Sequence, residues 1–265
     1  MKYSFVSYLG TDNFLPGILA LNESLIKYNT QFPFIVLLSV RVSNSVAKVL
    51  LAKRINFKYV QPVINPQKSI LDERGFKYTY TKLQIFSLKE YEKIVYLDAD
   101  MIICDNIESL FDKPHMSAVI SGAAIPLNSC WKDLNSGLMV IKPDIKLVKE
   151  MRLSIRKLSS KDGSDQGYLQ SFFVDWPSNK KLHLPHKFNV PFCYLDEYCN
   201  QKGFHFTYTK KKLRSKIPVI HFWGKVKPWD VNLNDFSRKT ILKWEQAIFL
   251  WWDIYHSAIK DLNGK

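Results

Sequence analysis

The sequence predicts an α/β fold, with a mostly parallel central sheet covered by helices. Three observations carry that prediction. Strand-like and helix-like patterns alternate from the first residues onward. The run Phe34 to Val40 is apolar throughout, as expected of a strand covered on both faces. The strand-like Ile94-Val95-Tyr96-Leu97 passes directly into Asp98-Ala99-Asp100, polar chemistry at a strand end, which is where α/β sheets bind their ligands.

The elements follow in order. Tyr3 to Tyr8 reads as a first strand, and Gly10 to Asn13 as a turn in which Asp12 or Asn13 caps a helix. Ile18, Leu21, Leu25 and Tyr28 fall on one face of that helix. After the Phe34 strand, Asn44 to Arg54 is helix-like and Phe57 to Val60 strand-like, which completes a β-α-β-α-β alternation. Thr81 to Leu88 predicts a short helix leading into the acidic strand. Ala118 to Ala123 and Gly137 to Ile141 predict further strands. Asp144 to Leu158 is an amphipathic helix, and a second starts near Ser164 and runs through Phe173. The stretch from Asp175 to Lys216, with Pro177, Pro185 and Pro191, predicts loops, and Pro218 to Phe222 one more strand. Ile241, Trp244, Ile248, Trp251, Tyr255 and Ile259 step by three or four along a final helix, about 236–260. That helix is expected to lie against the body of the protein; the alternative is an interfacial helix on a membrane surface. A core over about 3–230 with this helix makes a single domain over 1–265.

Composition narrows the function classes. The chain of 265 residues can bury one sizeable core or two small ones. No apolar run approaches the ~20 residues of a spanning helix, and Met1 to Phe5 leads straight into a strand pattern, without a signal-peptide core. Cys104, Cys130, Cys193 and Cys199 form no C-x-x-C pair, which argues against a structural zinc site and suits a reducing compartment. The expectation is an intracellular, cytoplasmic protein, or a chain trimmed of its targeting segment. A net charge of +14 attracts phosphates, polyanions and anionic membranes alike. The lysines are spread along the whole chain, which disfavours a nucleic-acid-binding arm. The densest run, Lys210 to Lys216, predicts a solvated loop, with a membrane or polyanion contact as the alternative.

Asp98 and Asp100 repel each other unless a cation lies between them or one is protonated. Carboxylate oxygens suit hard divalent ions that keep open positions for a diphosphate, so a metal clamp is one reading and a solvated acidic turn the other. Four further patches bear on that choice. Asn135-Ser136-Gly137 opens a strand and offers an amide and a hydroxyl to a sugar, though it is also an ordinary turn. Asp162-Gly163-Ser164-Asp165-Gln166-Gly167 places two carboxylates and an amide at a helix start, for capping or for binding. His221-Phe222-Trp223-Gly224-Lys225-Val226-Lys227-Pro228-Trp229 follows the last strand with an imidazole for a metal and a lysine for a diphosphate; the plain alternative is a packed histidine. Thr79-Tyr80-Thr81-Lys82-Leu83 brings a second lysine, or a surface helix start.

Taken in order, with the spacer Asn106-Ile107-Glu108-Ser109-Leu110-Phe111, these motifs resemble the glycogenin-like members of glycosyltransferase family 8, from about Phe5 to Trp229. The resemblance implies a single Rossmann-like GT-A-type domain with a mixed, mostly parallel sheet. It implies retaining transfer of a hexose, glucose favoured, from a UDP-sugar, with manganese as the usual ion and magnesium as the alternative. Carried over by position, Asp98, Asp100 and His221 bind the metal. Tyr8, Thr11 and Phe14 surround the uracil, and Ala99 meets the ribose. Asn135, Ser136, Asp162, Asp165 and Gln166 line the sugar, Gly224 and Lys227 hold the diphosphate, and Lys82 assists donor binding. Arg74 stands near the family's upstream arginine, one residue out of step. Asp165, Gln166 and Lys82 are the catalytic candidates, with Asp165 either attacking the anomeric carbon or steadying its cation.

Glycogenin glucosylates its own tyrosine; here the matching position is Asp196, flanked by Tyr194 and Tyr198 as candidate self-acceptors. A separate glycan, lipid or protein acceptor is the other route, and a homodimer is compatible with the resemblance. Two other readings stand beside this one. One is a UDP-galactose transferase working on a surface glycan or glycolipid, with a peripheral membrane contact. The other is a UDP-sugar-binding protein without catalysis.

Overall fold

The computed structural model describes every residue except 1, 29, 67–75, 123–129, 210, 237–241 and 261–265. Arg74, Ala123, Lys210 and Ile241 lie outside the described residues.

A six-stranded sheet forms the centre, in the order β3-β2-β1-β4-β7-β6. The strands are β1 (Tyr3–Leu9), β2 (Phe34–Ser39), β3 (Asn56–Val60), β4 (Lys93–Leu97), β6 (Ser117–Ile120) and β7 (Leu134–Ile141). β3, β2, β1 and β4 run parallel, whereas β7 is antiparallel to both of its neighbours. This is the mixed, mostly parallel sheet expected. Side chains alternate between its faces. Phe5, Val36, Leu38, Val95 and Leu97 enter the core beneath α1 (Leu15–Lys27) and α2 (Asn44–Ala52). Val6, Leu37, Ile94, Tyr96 and Met139 enter a second core, closed by the 3-10 segment Phe76–Ser87, α3 (Ile145–Ser154) and α4 (Asp165–Phe172).

The chain departs from the expectation in several places. Neither Asp12 nor Asn13 caps α1; Asp12 instead accepts the Ser43 N–H at the start of α2, 2.8 Å away. A helix begins with four free N–H groups, and a neighbouring helix can claim the nearest carboxylate. The stretch read as loops is partly ordered: α5 (Leu195–Lys202) is followed by a hairpin of β9 (Phe206–Thr209) and β10 (Lys212–Ser215). The basic run is therefore largely a strand and not a loop. Lys212 and Arg214 project to solvent on alternate residues of this edge strand and Lys216 is exposed just beyond it, while Phe206 and Tyr208 of β9 are buried. Proline spacing and a charge run hid a strand whose support is tertiary.

A third small sheet, β5-β11-β8, joins β5 (Met101–Ile103), β11 (Val219–His221) and β8 (Val190–Pro191). The last helix, α6 (Lys243–Ile259), lies against α1 and β9 and shares a buried cluster with Ile102, Val190 and Ile220 of this sheet. Ile248, Trp251 and Ile254 are buried, and the Trp252 indole donates to the Pro228 carbonyl at 3.0 Å. Its apolar stripe thus serves the core. No helix among the described residues is long and apolar enough to cross a membrane.

Candidate active site

The site is built at the C-terminal end of β4. The chain turns there, with Asp98 N–H on the Gly137 carbonyl of β7 at 2.8 Å and Met101 N–H on the Asp98 carbonyl at 3.2 Å. It re-enters as β5, a three-residue strand the sequence reading did not identify. β5 pairs antiparallel with β11, and the register sets His221 opposite Met101, the residue after Asp100. An imidazole distant in sequence thereby arrives at the two carboxylates. Its Nε2 stands 3.1 Å from Asp100 Oδ1 and 3.9 Å from Asp98 Oδ2. One ligand atom from each of Asp98, Asp100 and His221 lies within 4.8 Å of the others. Two carboxylates and an imidazole at that spacing fit a hard divalent cation.

Two glycines let this happen. A Cβ on Gly137 would stand 2.7 Å from His221 Cε1, so only glycine admits the ring beside β7. A Cβ on Gly17 would stand 2.2 Å from the Ala99 carbonyl oxygen, so α1 packs directly against the acidic turn.

Two lysines compensate the acids. Lys227 donates to Asp100 Oδ2 at 2.5 Å and to the Phe222 carbonyl at 2.9 Å. Lys82 lies between two carboxylates, 2.9 Å from Asp98 Oδ1 and 3.2 Å from Asp165 Oδ2, and donates to Ser136 Oγ at 3.1 Å. Burial disfavours the charge of Asp100, but His221 and Lys227 outweigh it and hold its carboxyl well below the usual range. Burial likewise opposes the charge of Lys82, and Asp165 and Asp98 outweigh it, so the ammonium is held cationic. For Asp165, burial and the Asp98 charge push the carboxyl up against the pull of Lys82, because one ammonium serves two acids. Burial and the Asp98 charge also raise the Tyr96 hydroxyl, which donates to Asp98 Oδ1 at 2.7 Å.

Ser164 caps α4 and sets the other wall. Its Oγ accepts the Gln166 N–H at 3.1 Å, and Gln166 Oε1 accepts the Ser136 N–H at 3.0 Å. Ser164→Ala is expected to destabilise the fold by about 1 kcal/mol, the usual value of an N-cap, read by urea unfolding.

Most of the residues singled out in the sequence come together. Tyr8, Thr11, Phe14, Lys82, Asp98, Ala99, Asp100, Ser136, Asp165, Gln166, His221 and Gly224 line one cleft of about 520 Å³. Lys227 faces an adjoining depression with Phe14 and Gly224. Two residues are placed differently. Asp162 Oδ1 accepts from the Ser160 hydroxyl, from both the backbone and the hydroxyl of Ser164, and from Gly167 N–H, so it organises the start of α4. Asn135 Oδ1 accepts from Gly137 N–H and Asn189, behind the cleft. Tyr194 stands 6.2 Å, ring to ring, from Trp223 at the cleft wall, whereas Tyr198 is only 4 % exposed and packs on Phe204. The Asp196 carboxylate accepts the Lys243 N–H at the start of α6.

Sequence reasoning missed Arg41, Tyr78, Tyr96 and Trp223 in the cleft and Asn189 behind it. Tyr96 was legible, since residues two apart on a strand share a face and Asp98 continues that row. Arg41 reaches the cleft from the end of β2, its guanidinium 4.8 Å from the Tyr78 ring centroid, and no local pattern announces it.

With this geometry in hand, the comparisons are direct. The profile of Glycosyl transferase family 8 matches residues 5–232. Human Glycogenin-1 is 27 % identical over 98 % of this chain, which spans 73 % of that protein; for human Glycogenin-2 the values are 29 %, 98 % and 51 %. Inositol phosphorylceramide glucuronosyltransferase 1 of Arabidopsis thaliana is 31 % identical over 86 % of the chain, which spans 43 % of its length. Among solved structures, the galactosyltransferase LgtC with donor and acceptor sugar analogues superposes at a TM-score of 0.62 and 20 % identity, over 96 % of this chain and 95 % of its own. That likeness establishes the GT-A fold. The chain belongs to glycosyltransferase family 8 and is a glycosyltransferase.

Proposed function

We propose that this protein is a manganese-dependent, retaining hexosyltransferase that moves a sugar, glucose first among the candidates, from a UDP-sugar to an acceptor hydroxyl. The observation that carries this reading is the convergence of Asp98, Asp100 and His221 with two lysines in one cleft. Asp98, Asp100 and His221 would hold the ion, which supplies positive charge against a diphosphate leaving group. Lys227 adds a cation at the same place, and Gly224, with φ of 96°, lets the backbone approach closely. Lys82 and Ser136 orient the Asp165 carboxylate. Asp165 then serves as nucleophile or steadies the oxocarbenium-like carbon; in the second route the departing UDP oxygen takes the acceptor proton.

The acceptor is best read as a separate glycan, lipid or protein. Asp196 holds α6 and Tyr198 is buried, which leaves Tyr194 as the candidate for self-transfer. A second donor reading, a UDP-hexuronate, is favoured by Arg41. Its side chain lines the cleft without an acidic partner among the described residues, and relatives named as glucuronosyltransferases match at 31 % and 30 % identity.

Purified protein should transfer the sugar of one of UDP-glucose, UDP-galactose or UDP-glucuronate to water or to its own Tyr194 hydroxyl, releasing UDP, with manganese and not with EDTA. Intact-mass spectrometry of the same samples reads self-transfer as steps of one sugar residue, lost in Tyr194→Phe. Binding of donor with no turnover of any of the three would leave a binding protein.

A further inference from the structure

Asn189 lies outside the five ordered motifs, in the loop that matches glycogenin's acceptor loop, yet it is buried at 4 % exposure and both polar atoms of its amide are used. It immediately precedes β8, whose parallel pairing with β11 sets Pro191 opposite His221, and so it arrives beside the imidazole.

The polarity of the contacts is fixed from one end. The Gly137 backbone N–H can only donate, and it lies 2.9 Å from the side-chain oxygen of Asn135. That Asn135 atom is therefore the carbonyl oxygen and not the amide nitrogen. The Asn189 atom 2.8 Å from the same oxygen must then be its NH2 group. This turns the Asn189 carbonyl oxygen toward His221 Nδ1, 2.9 Å away. An oxygen acceptor there requires Nδ1 to carry a proton. Nε2 remains directed at Asp100 and Asp98; in the metal-free protein a proton on it faces Asp100, and a bound cation would take that proton's place.

We propose that Asn189 is a positioning residue: through Gly137 and Asn135 it holds His221 in the Nδ1–H form and commits Nε2 to the divalent-cation site. The outer hydrogen bond of a metal-binding histidine sets its tautomer and ring angle, and its loss typically costs about ten- to a hundredfold in affinity. A carboxamide accomplishes this without placing another negative charge beside Asp98 and Asp100. The inference rests on the reading of Asp98, Asp100 and His221 as a cation site.

The test is manganese titration of donor-free protein, following free Mn2+ by electron paramagnetic resonance, for wild type, Asn189→Leu and Asn189→Asp. Asn189→Leu should bind about ten- to a hundredfold more weakly. Asn189→Asp keeps an oxygen acceptor for Nδ1–H but loses the donor to Asn135, so it should bind more tightly than Asn189→Leu and more weakly than wild type, an ordering that a merely space-filling role does not produce. In parallel, 15N-histidine-labelled wild type saturated with magnesium should show the His221 ring, assigned by its loss in His221→Gln, protonated at Nδ1 and bare at Nε2. Unchanged affinity in Asn189→Leu, or a proton on Nε2 in the magnesium-loaded protein, overturns the inference. Should Asn189→Leu not fold, the wild-type tautomer and the Asn189→Asp affinity decide. A wild type that binds no manganese at all overturns the cation-site reading instead.

Discussion

Asp100→Asn is expected to reduce manganese affinity and sugar transfer together by at least about a hundredfold. The substitution keeps the shape of the side chain and removes its charge. It takes one of two anionic ligands from the cation site and presents an NH2 group where His221 Nε2 or Lys227 Nζ now approaches, at 3.1 and 2.5 Å. Loss of one charge-organising group in a desolvated site typically costs about 3 kcal/mol in the transition state, which is about a hundredfold in rate. Donor-saturated turnover and Mn2+ titration measure the two effects, and near-normal turnover with normal manganese affinity would remove Asp100 from the site.

The same substitution has a pH signature in metal-free protein. The folded-state Asp100 carboxyl is held below its ordinary range by His221 and Lys227, against the opposing effect of burial. A carboxyl depressed in this way contributes stability above its ordinary pKa and loses it as pH falls toward the folded value. With EDTA present, Asp100→Asn should therefore be least stable relative to wild type near neutral pH. The gap should close as the pH drops below the normal carboxylate range, read as the difference in thermal midpoints.

Lys82→Met is the second large effect. Methionine replaces the stem of the lysine and leaves Asp98 and Asp165 facing each other with no cation between them. Removing one partner of a buried ion pair typically costs about 3–5 kcal/mol. Asp98 retains some solvent access, its side chain being 28 % exposed, so about 3 kcal/mol is expected in urea unfolding with EDTA. Saturating manganese should recover part of that loss, because the ion restores positive charge next to Asp98. Transfer should also fall, since Asp165 loses the ammonium that orients it. An equal loss of stability with and without manganese would mean that Lys82 supports the fold and has no electrostatic link to the cation site.

Asp100 was exposed by the sequence for a local reason, whereas Lys82 stood in a patch that also reads as a surface helix start and gained its role from the family resemblance. Asp98-Ala99-Asp100 adjoins an apolar strand, so periodicity alone places two carboxylates at a strand end. The β-α-β-α-β start is equally local, since a run such as Phe34 to Val40 reports burial on both faces and Ile18, Leu21 and Leu25 report one helix face. The five ordered motifs added the family, and with it most of the cleft.

What the sequence could not contain is which distant groups meet. The β5–β11 register brings His221 to Asp100, and the β8–β11 pairing brings Asn189 to His221. The same basic run that reads as a solvated loop is largely a strand because Phe206 and Tyr208 anchor its partner among Ile248, Trp251 and Ile254 of α6. Asp162 and Asn135 carry side chains suited to a sugar, yet backbone N–H groups at the start of α4 and at Gly137 claim them. Local chemistry thus determined the fold class and the paired acids Asp98 and Asp100, because hydrophobic period and charge spacing act between neighbours in the chain, while Asp165 and the two lysines came from the ordered motifs through the family resemblance. Partner choice was decided only in the folded molecule, because hydrogen bonds form between groups that packing brings together, whatever their separation in sequence.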